Sequence, residues 1–290
     1  MNEYTCEELE KEVNLLKQTF EIVRIVDPVI CRILTFQKMN DKLCLVPDDT
    51  CYGVWNIPHQ CINCTSARAL KEKDTQSKCE VTDNRLFQIT SRPLLVDKRN
   101  VVLEVVQPVT YLKKAPRIDE QKLISTVREL NHELLLDDET DAYTREYLSE
   151  HLPNIFEEAK EHDNYNAALV RILHVPEISE EYGPTAVSGI ICRLYDMLKN
   201  LFTTETVVPL LIRYSKDTFF VTENGLTFED FCARIASLIE EMSKQHILYQ
   251  NKLLPFEITA GCAGITKEKL FAEEDLLSTL EERMKKTDGN

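Results

Sequence analysis

The stretch "RYSKDTFFV", residues 213–221, decides how the second half of this chain folds. An apolar run precedes it and turn-forming residues follow. It reads as a tight β-hairpin with Ser215-Lys216 at a two-residue tip, where such turns favour glycine or asparagine. Outward from the tip the pattern alternates. "AYTREYLSEHLPNIFEEAKEH" reads as a helix, "NAALVRILHV" as a strand and "TAVSGIICRLYDMLKNLF" as a helix. Beyond the hairpin, Thr227 caps a helix whose inner face is Phe228, Phe231, Ile235, Leu238, Ile239 and Met242. "FEITAGCAGI" then reads as a strand, and a last helix ends near Lys286. Helix, strand, helix, hairpin, helix, strand, helix predicts an α+β layer domain, a mostly antiparallel sheet covered by helices.

The first half is built differently. Thr5-Cys6-Glu7-Glu8 has capping-box spacing and opens a helix with Leu9, Val13, Leu16 and Phe20 on one stripe. "FEIVRIVD", "CRILTFQ" and "KLCLVP" read as strands, followed by a cysteine-rich loop over residues 51–64 and a short helix at "SARALKEK". "RLFQITSRPLLV" and "NVVLEVVQPVTYL" read as long antiparallel strands joined by Asp97-Lys98-Arg99-Asn100. A linker containing Pro116 follows, then a helix with Leu123, Val127, Leu130 and Leu134 on one stripe. The predicted organisation is an N-terminal helix (1–21), a cysteine-rich domain (22–112), a linker and connecting helix (113–136) and the α+β domain (137–290). Two apolar stripes flanking one domain suit a parallel coiled-coil homodimer through helices 5–21 and 120–136; packing of each stripe on its own domain is the alternative.

Bulk properties narrow the function. Glycine is scarce, apolar content is ordinary, and no apolar run reaches the roughly 18 residues of a membrane span. The acidic, helical start does not read as a signal peptide, so a cytoplasmic protein with reduced cysteines is expected. Up to Ala115 the chain carries 16 basic and 16 acidic residues; the remainder carries 18 and 33, which places the whole net charge of −15 there. Such a surface repels nucleic acid and free nucleotides at long range.

The second half resembles the GGDEF domain of diguanylate cyclases. The family's opening motif DxLTGLYNRRYL is similar to "DDETDAYTREYL", with Asp137, Thr140, Tyr143, Arg145, Tyr147 and Leu148 matching. The middle motif DIDHFKxINDxYGH falls on residues 171–184, where His174, Ile178, Tyr182 and Gly183 agree. The signature RYGGDEF falls on residues 213–219 and keeps Arg213, Tyr214, Asp217 and Phe219. "FEITAGCAGI" and "KKTDGN" resemble the family's later strand and closing motif. The resemblance implies a nucleotidyl-cyclase-like fold whose functional positions have been replaced. Arg171 stands for the first metal-binding aspartate, Ser215 and Lys216 for the glycine pair, and Thr218 for the glutamate tied to metal and base chemistry. Ser179 and Ser188 stand for the groups that read the guanine edge, and Pro176 for a middle-motif lysine. Asp217 keeps a metal-ligand position, and Lys286 matches a late phosphate-side lysine. The product-binding RxxD sequence is missing, with Thr206 and Pro209 in its place. Arginine supplies no carboxylate oxygen for Mg²⁺ and threonine is no base near neutral pH. The resemblance therefore implies a catalytically degenerate domain that does not use Mg²⁺ and GTP productively and has no catalytic residues, acting through dimerisation or binding of a protein partner or nucleotide. The enzymatic alternative is an active or relaxed-specificity cyclase making cyclic dinucleotide.

Residues 22–112 resemble a PAS-like sensory domain: "IVRIVDPVICRIL" looks like its opening strand pair, and "FQITSRPLL" with "VVLEVVQPVT" like its closing strands. Within it, Cys51-x9-Cys61-x2-Cys64 has the spacing of one half of a zinc or iron–sulfur site. Cys44, Cys79, Cys31 or His59 would complete it. A redox dithiol and plain packing of buried thiols are the alternatives. Trp55 is expected to anchor this loop, and Cys192, Cys232 and Cys262 to lie on apolar core faces.

Overall fold

Thr5 does what its spacing from Glu8 predicts. The Glu8 amide donates to Thr5 Oγ1 at 3.2 Å, and the Thr5 amide donates to Glu8 Oε2 at 2.9 Å. This reciprocal cap opens α1 (Cys6–Leu16) directly after a short strand, β1 (Asn2–Tyr4). The computed structural model describes residues 2–57, 60–61, 63–82, 85–109, 120–203, 209–244, 247–249, 252–254 and 257–288. The chain divides into two units, Met1–Leu134 and Leu135–Asn290, and is α+β in class.

The first unit continues with β2 (Ile22–Asp27), β3 (Arg32–Met39), β4 (Lys42–Thr50), a 3₁₀ turn (Gly53–Trp55), α2 (Thr65–Glu72), β5 (Gln76–Thr82), β6 (Arg85–Val96), β7 (Arg99–Pro108) and α3 (Glu120–Glu133). Its sheet runs β1-β6-β7-β2-β3-β4, with β5 also on β6. The connection between β6 and β7 is shorter than expected. Val96 pairs with Arg99, so the turn is Asp97-Lys98 alone, both at positive φ (46° and 71°). Two such residues match the twist of the flanking strands. Strand β5 was not expected, because its alternating "QSKCEVT" is polar and half-exposed.

Helix α1 ends earlier than residue 21, and its stripe closes the unit's own core. Leu9 and Val13 are buried against Val23, Ile25, Leu94 and Leu103, with Leu16 and Phe20 packed at the margin. The predicted stripe of residues 5–21 therefore packs on its own unit, while Leu15 beside it is exposed. Helix α3 differs: Ile124 is buried, while Leu130, and Leu134 just past the helix end, are 51% and 66% exposed. The linker over residues 110–119 lies outside the described residues.

The second unit comprises β8 (Tyr143–Thr144), α4 (Arg145–Glu161), β9 (Tyr165–Ile172), α5 (Val175–Tyr182), α6 (Pro184–Phe202), β10 (Leu210–Arg213), β11 (Thr218–Asn224), α7 (Phe228–Lys244), the small hairpin β12 (Ile247–Tyr249) and β13 (Lys252–Leu254), β14 (Ile258–Gly264), α8 (Ile265–Glu268) and α9 (Glu273–Asp288). The sheet order is β14-β9-β11-β10-β8, antiparallel except for the β10–β8 edge. Strand β9 lies between β14 and β11 and is buried along both faces, so its centre, residues 167–170, reads as a continuous apolar run. Ala168, Val170, Phe219 and Val221 meet Ile190, Leu194, Leu198, Phe231 and Met242 from α6 and α7. Each large side chain so buried contributes about 1.5–3 kcal/mol of transfer free energy. On the opposite face α9 comes so close to β14 that a Cβ at Gly261 would meet the Leu280 carbonyl at 2.1 Å. Only glycine admits that contact. Helices α5 and α8 and the β12–β13 hairpin were not expected; each is short enough for periodicity to be silent. Among the described residues, no helix is long and apolar enough to cross a membrane.

Candidate functional site

The β10–β11 hairpin positions the candidate site. Arg213 pairs with Phe219, and the amides of Tyr214 and Ser215 donate to the Thr218 carbonyl at 2.9 and 3.1 Å. The tip is therefore Ser215, Lys216 and Asp217, one residue longer than expected. None of the three takes positive φ. The backbone here does not require glycine.

Asp217 serves its own turn. Its Oδ1 accepts from Ser215 Oγ at 2.7 Å and from Thr218 Oγ1 at 2.8 Å, while its carbonyl accepts from the Ile172 amide at 2.9 Å. The β9–β11 register sets Arg171 directly opposite Thr218, and Thr259 of β14 flanks Arg171 on its other side. Where the resemblance places two metal-binding carboxylates, this sheet carries an arginine beside two threonines. The remaining carboxylate, on Asp217, is engaged by two hydroxyls. This donor set does not fit Mg²⁺, which needs several oxygens and no neighbouring cation.

A second group closes around Arg213, whose side chain is 9% exposed. Its Nη2 donates to Glu139 Oε2 at 3.4 Å and to the Lys216 carbonyl, and its guanidinium carbon lies 4.9 Å from the Phe219 ring centre. Nη1 is buried and, among the described residues, has no hydrogen-bond partner. Burial pulls the Arg213 pKa down, and the carboxylates of Asp137, Glu139 and Asp217 oppose that pull. Ser188 of α6 donates to Glu139 Oε1 at 2.6 Å, and Cys192 donates to the Glu139 carbonyl at 3.2 Å. Burial raises the Cys192 thiol, and the nearby Glu139 adds to it. Glu139 is held there by its own loop: Asp137 Oδ1 accepts from the Thr140 amide and hydroxyl at 3.0 and 2.8 Å. Glu139 and Cys192 carried no signal in the sequence, since Glu139 is a mismatch within its motif and Cys192 was expected in the core.

Tyr214 braces the hairpin base. Its hydroxyl donates to Glu281 of α9 at 3.1 Å, and Arg145 of α4 stacks on its ring at 4.5 Å. Ser179 and Lys286 are not part of this group. Ser179 uses its carbonyl to accept from the Gly183 amide, and Lys286 is exposed on α9. The middle-motif residues His174, Ile178 and Tyr182 instead line a cavity of about 170 Å³ with Leu173, Glu177, Glu181 and Glu257. Three carboxylates make it unfavourable for phosphate. Thr206 lies outside the described residues.

In the first unit the loop over residues 51–64 is pinned by Arg24. Its Nη1 donates to the Cys51 carbonyl at 2.7 Å, and its Nε donates to Glu104 Oε2 at 2.6 Å. Ser66 donates to Glu104 Oε1 at 2.5 Å. Trp55, 8% exposed, meets Phe87 edge-on at 6.3 Å and Arg24 at 5.6 Å, the anchoring role expected of it. The thiols of Cys31, Cys51, Cys61 and Cys64 lie near enough to act on one another electrostatically. Cys51 hydrogen-bonds the Cys31 thiol, and this bond together with burial raises its pKa. Cys64 Sγ caps α2 by accepting from the Ala67 amide at 3.4 Å. Burial pushes Cys61 up to about 11 and Cys64 up to about 12. Cys44 is on β4 beside Cys6, and Cys79 is exposed on β5. Among the described residues, no three His, Cys, Asp or Glu side chains gather closely enough to hold a metal ion. His59 lies outside the described residues.

No protein-family model matches the chain, and no curated protein matches it. Solved structures with a similar fold include the GGDEF domain of FimX from Pseudomonas aeruginosa, 16% identical over 52% of this chain and 92% of that one (TM-score 0.47). A sensory box/GGDEF family protein from Caulobacter crescentus is 16% identical over 53% and 97% (TM-score 0.46). The S helix-GGDEF-EAL region of LapD from Vibrio cholerae is 19% identical over 59% and 38% (TM-score 0.45).

Proposed function

We propose that the chain is a cytoplasmic signalling protein, with a sensory first unit and a second unit that is a degenerate GGDEF-like domain. The second unit acts by binding, not by joining nucleotides. The register that sets Arg171 opposite Thr218 carries this proposal. It puts a fixed cation where phosphoryl-transfer chemistry of this kind needs cation-holding carboxylates. The turn-bound Asp217 and the Ser188–Glu139 hydrogen bond support it, because both use up polar groups that a substrate would need. The sensory role of the first unit is supported by β6, β7, β2 and β3 standing side by side, as the opening and closing strand pairs of the PAS resemblance require. Homodimerisation is supported by the exposed Leu130 of α3 and Leu134 just past its end, with Leu15 of α1 also exposed.

Incubation of the purified chain with GTP and Mg²⁺ is expected to give no cyclic dinucleotide. Synthesis that disappears in Asp217→Ala would overturn the proposal. A second role, nucleotide binding without turnover, is favoured by the buried, partnerless Nη1 of Arg213. A ligand at about 100 times its Kd adds about 2.7 kcal/mol of stability, so a thermal-shift screen with GTP, ATP and cyclic dinucleotides detects it.

A further inference from the structure

The Cys61-x2-Cys64 motif encloses a buried polar residue that thiol chemistry does not use. Asn63, between the two cysteines, is 6% exposed. A buried amide has to satisfy both its donor and its acceptor. Asn63 does so with residues distant in sequence. Its Oδ1 accepts from Arg68 Nη1 of α2, and its Nδ2 donates to Asn131 Oδ1 of α3 at 2.9 Å. Asn131 Nδ2 in turn donates to the Cys79 carbonyl of β5 at 2.9 Å. One line of hydrogen bonds therefore joins the cysteine loop, the connecting helix and the strand beside it.

Helix α3 needs such a hold. It has 14 residues, and an isolated helix of that length is marginal in water. Among its described side chains only Ile124 is buried, and the helix packs on β5. Asn131 follows Ile124 by two turns, so the two share one face. One apolar side chain and one amide thus mark the docked face. Residues 132–134 are all that separates Asn131 from Leu135, where the second unit begins.

We propose that Asn63 and Asn131 form a latch by which the state of the cysteine loop controls the docking of α3 on the first unit. Both are positioning residues. Asn63 lies between Cys61 and the Cys64 cap of α2, so a group that engages those thiols moves the amide that holds the helix. When that amide turns away, Asn131 exchanges its partner for water, and the end of α3 nearest the second unit frays. The purpose of the latch rests on the sensory reading of the first unit; its existence does not.

The test is hydrogen exchange of the full chain, read by mass spectrometry over peptides from residues 120–133, with peptides of β6 and β7 as the gauge of folding. Asn131→Ala is expected to speed exchange of α3 by roughly 2- to 10-fold, the range that one neutral hydrogen bond supplies, and to leave β6 and β7 unchanged. Alanine is the better helix former, so faster exchange reports lost docking and not lost propensity. Asn63→Ala accelerates α3 by no more than that, and the double variant matches Asn131→Ala. Cys64→Ala removes the α2 cap and keeps Asn63. It speeds α3 exchange in the otherwise unaltered chain and not in Asn131→Ala.

The inference fails if α3 exchanges no faster in Asn131→Ala than in the unaltered chain, or if the two asparagine effects multiply in the double variant. It also fails if Cys64→Ala leaves α3 unmoved or acts on it as strongly without Asn131. Where Asn63→Ala or Cys64→Ala disturbs β6 and β7, Asn131→Ala alone decides, because Asn131 lies on α3 and outside the sheet. Cyclic dinucleotide synthesis tests the second unit and is a separate result from any of these.

Discussion

Each unit buries an arginine against a glutamate, and the two pairs end differently. In the first unit Arg24 and Glu104 are 7% and 8% exposed, every nitrogen of the guanidinium finds an acceptor, and Ser66 takes the other carboxylate oxygen. In the second unit Arg213 is equally buried, but its partner Glu139 is 40% exposed, the contact is 3.4 Å long, and Nη1 has no acceptor. A desolvated pair with all valences filled is a structural knot. A desolvated cation with one donor left and a solvated partner is the kind of place where a ligand is received. The same two residue types form a closed pair in one unit and an open one in the other, and burial of the carboxylate makes the difference.

Breaking the first pair gives the largest expected effect. Arg24→Met strands Glu104 in the core and is expected to cost about 3–5 kcal/mol, read as a lower denaturant midpoint for the first unit. Arg24→Met with Glu104→Leu removes both charges and is expected to cost much less. Equal losses in the single and double variants would show that the pair is not a closed knot.

Alkylation sharpens the contrast at the loop that Arg24 holds. Burial raises Cys61 to about 11 and Cys64 to about 12, above the ordinary thiol value. A raised thiol pKa lowers the thiolate fraction at every pH below it. At pH 8 iodoacetamide is therefore expected to label Cys61 roughly 100-fold, and Cys64 roughly 1000-fold, more slowly than a free cysteine. Labelling of either at the free rate would mean the loop is open. Unfolding should restore it.

In the second unit the same kind of truncation is expected to be mild. Arg213→Met keeps the packing on Phe219 and returns Glu139 to water, for a loss of about 1 kcal/mol. A loss as large as that at Arg24 would make the hairpin site a second structural knot and remove the case for binding. The smallest effect is expected at the tip. Lys216→Gly should destabilise by about 0.5 kcal/mol through backbone entropy, because no tip residue needs positive φ. It should bring no cyclic dinucleotide synthesis, since Arg171 and Thr218 remain.

Much of this contrast was invisible in the sequence. The elements with strong local signals were legible: the Thr5–Glu8 cap, the β6–β7 pair, the α7 stripe and the hairpin at residue 213 all follow from periodicity and turn chemistry. The short or polar elements were not. Strand β5 exists because β6 offers it a partner, and α5 because the chain must turn after the buried β9. At the site, Asp217, Thr218, Arg171 and Ser188 were legible by position, yet what each touches was not. The ligand set expected of Cys51, Cys61 and Cys64 rested on spacing along the chain, which does not reveal that Cys51 meets Cys31 or that Cys64 caps a helix.

The order of elements, the replacement of carboxylates along the hairpin and the lopsided charge belong to the sequence alone, because they depend on residue type and near neighbours. Which arginine is sealed and which keeps a donor, which cysteines meet, and whether an apolar stripe faces its own core were settled only by tertiary structure. These depend on contacts between residues tens of positions apart, such as Arg24 with Glu104 or Arg213 with Glu139. Burial, which sets the strength of every charge and the proton affinity of every thiol, is a property of that packing.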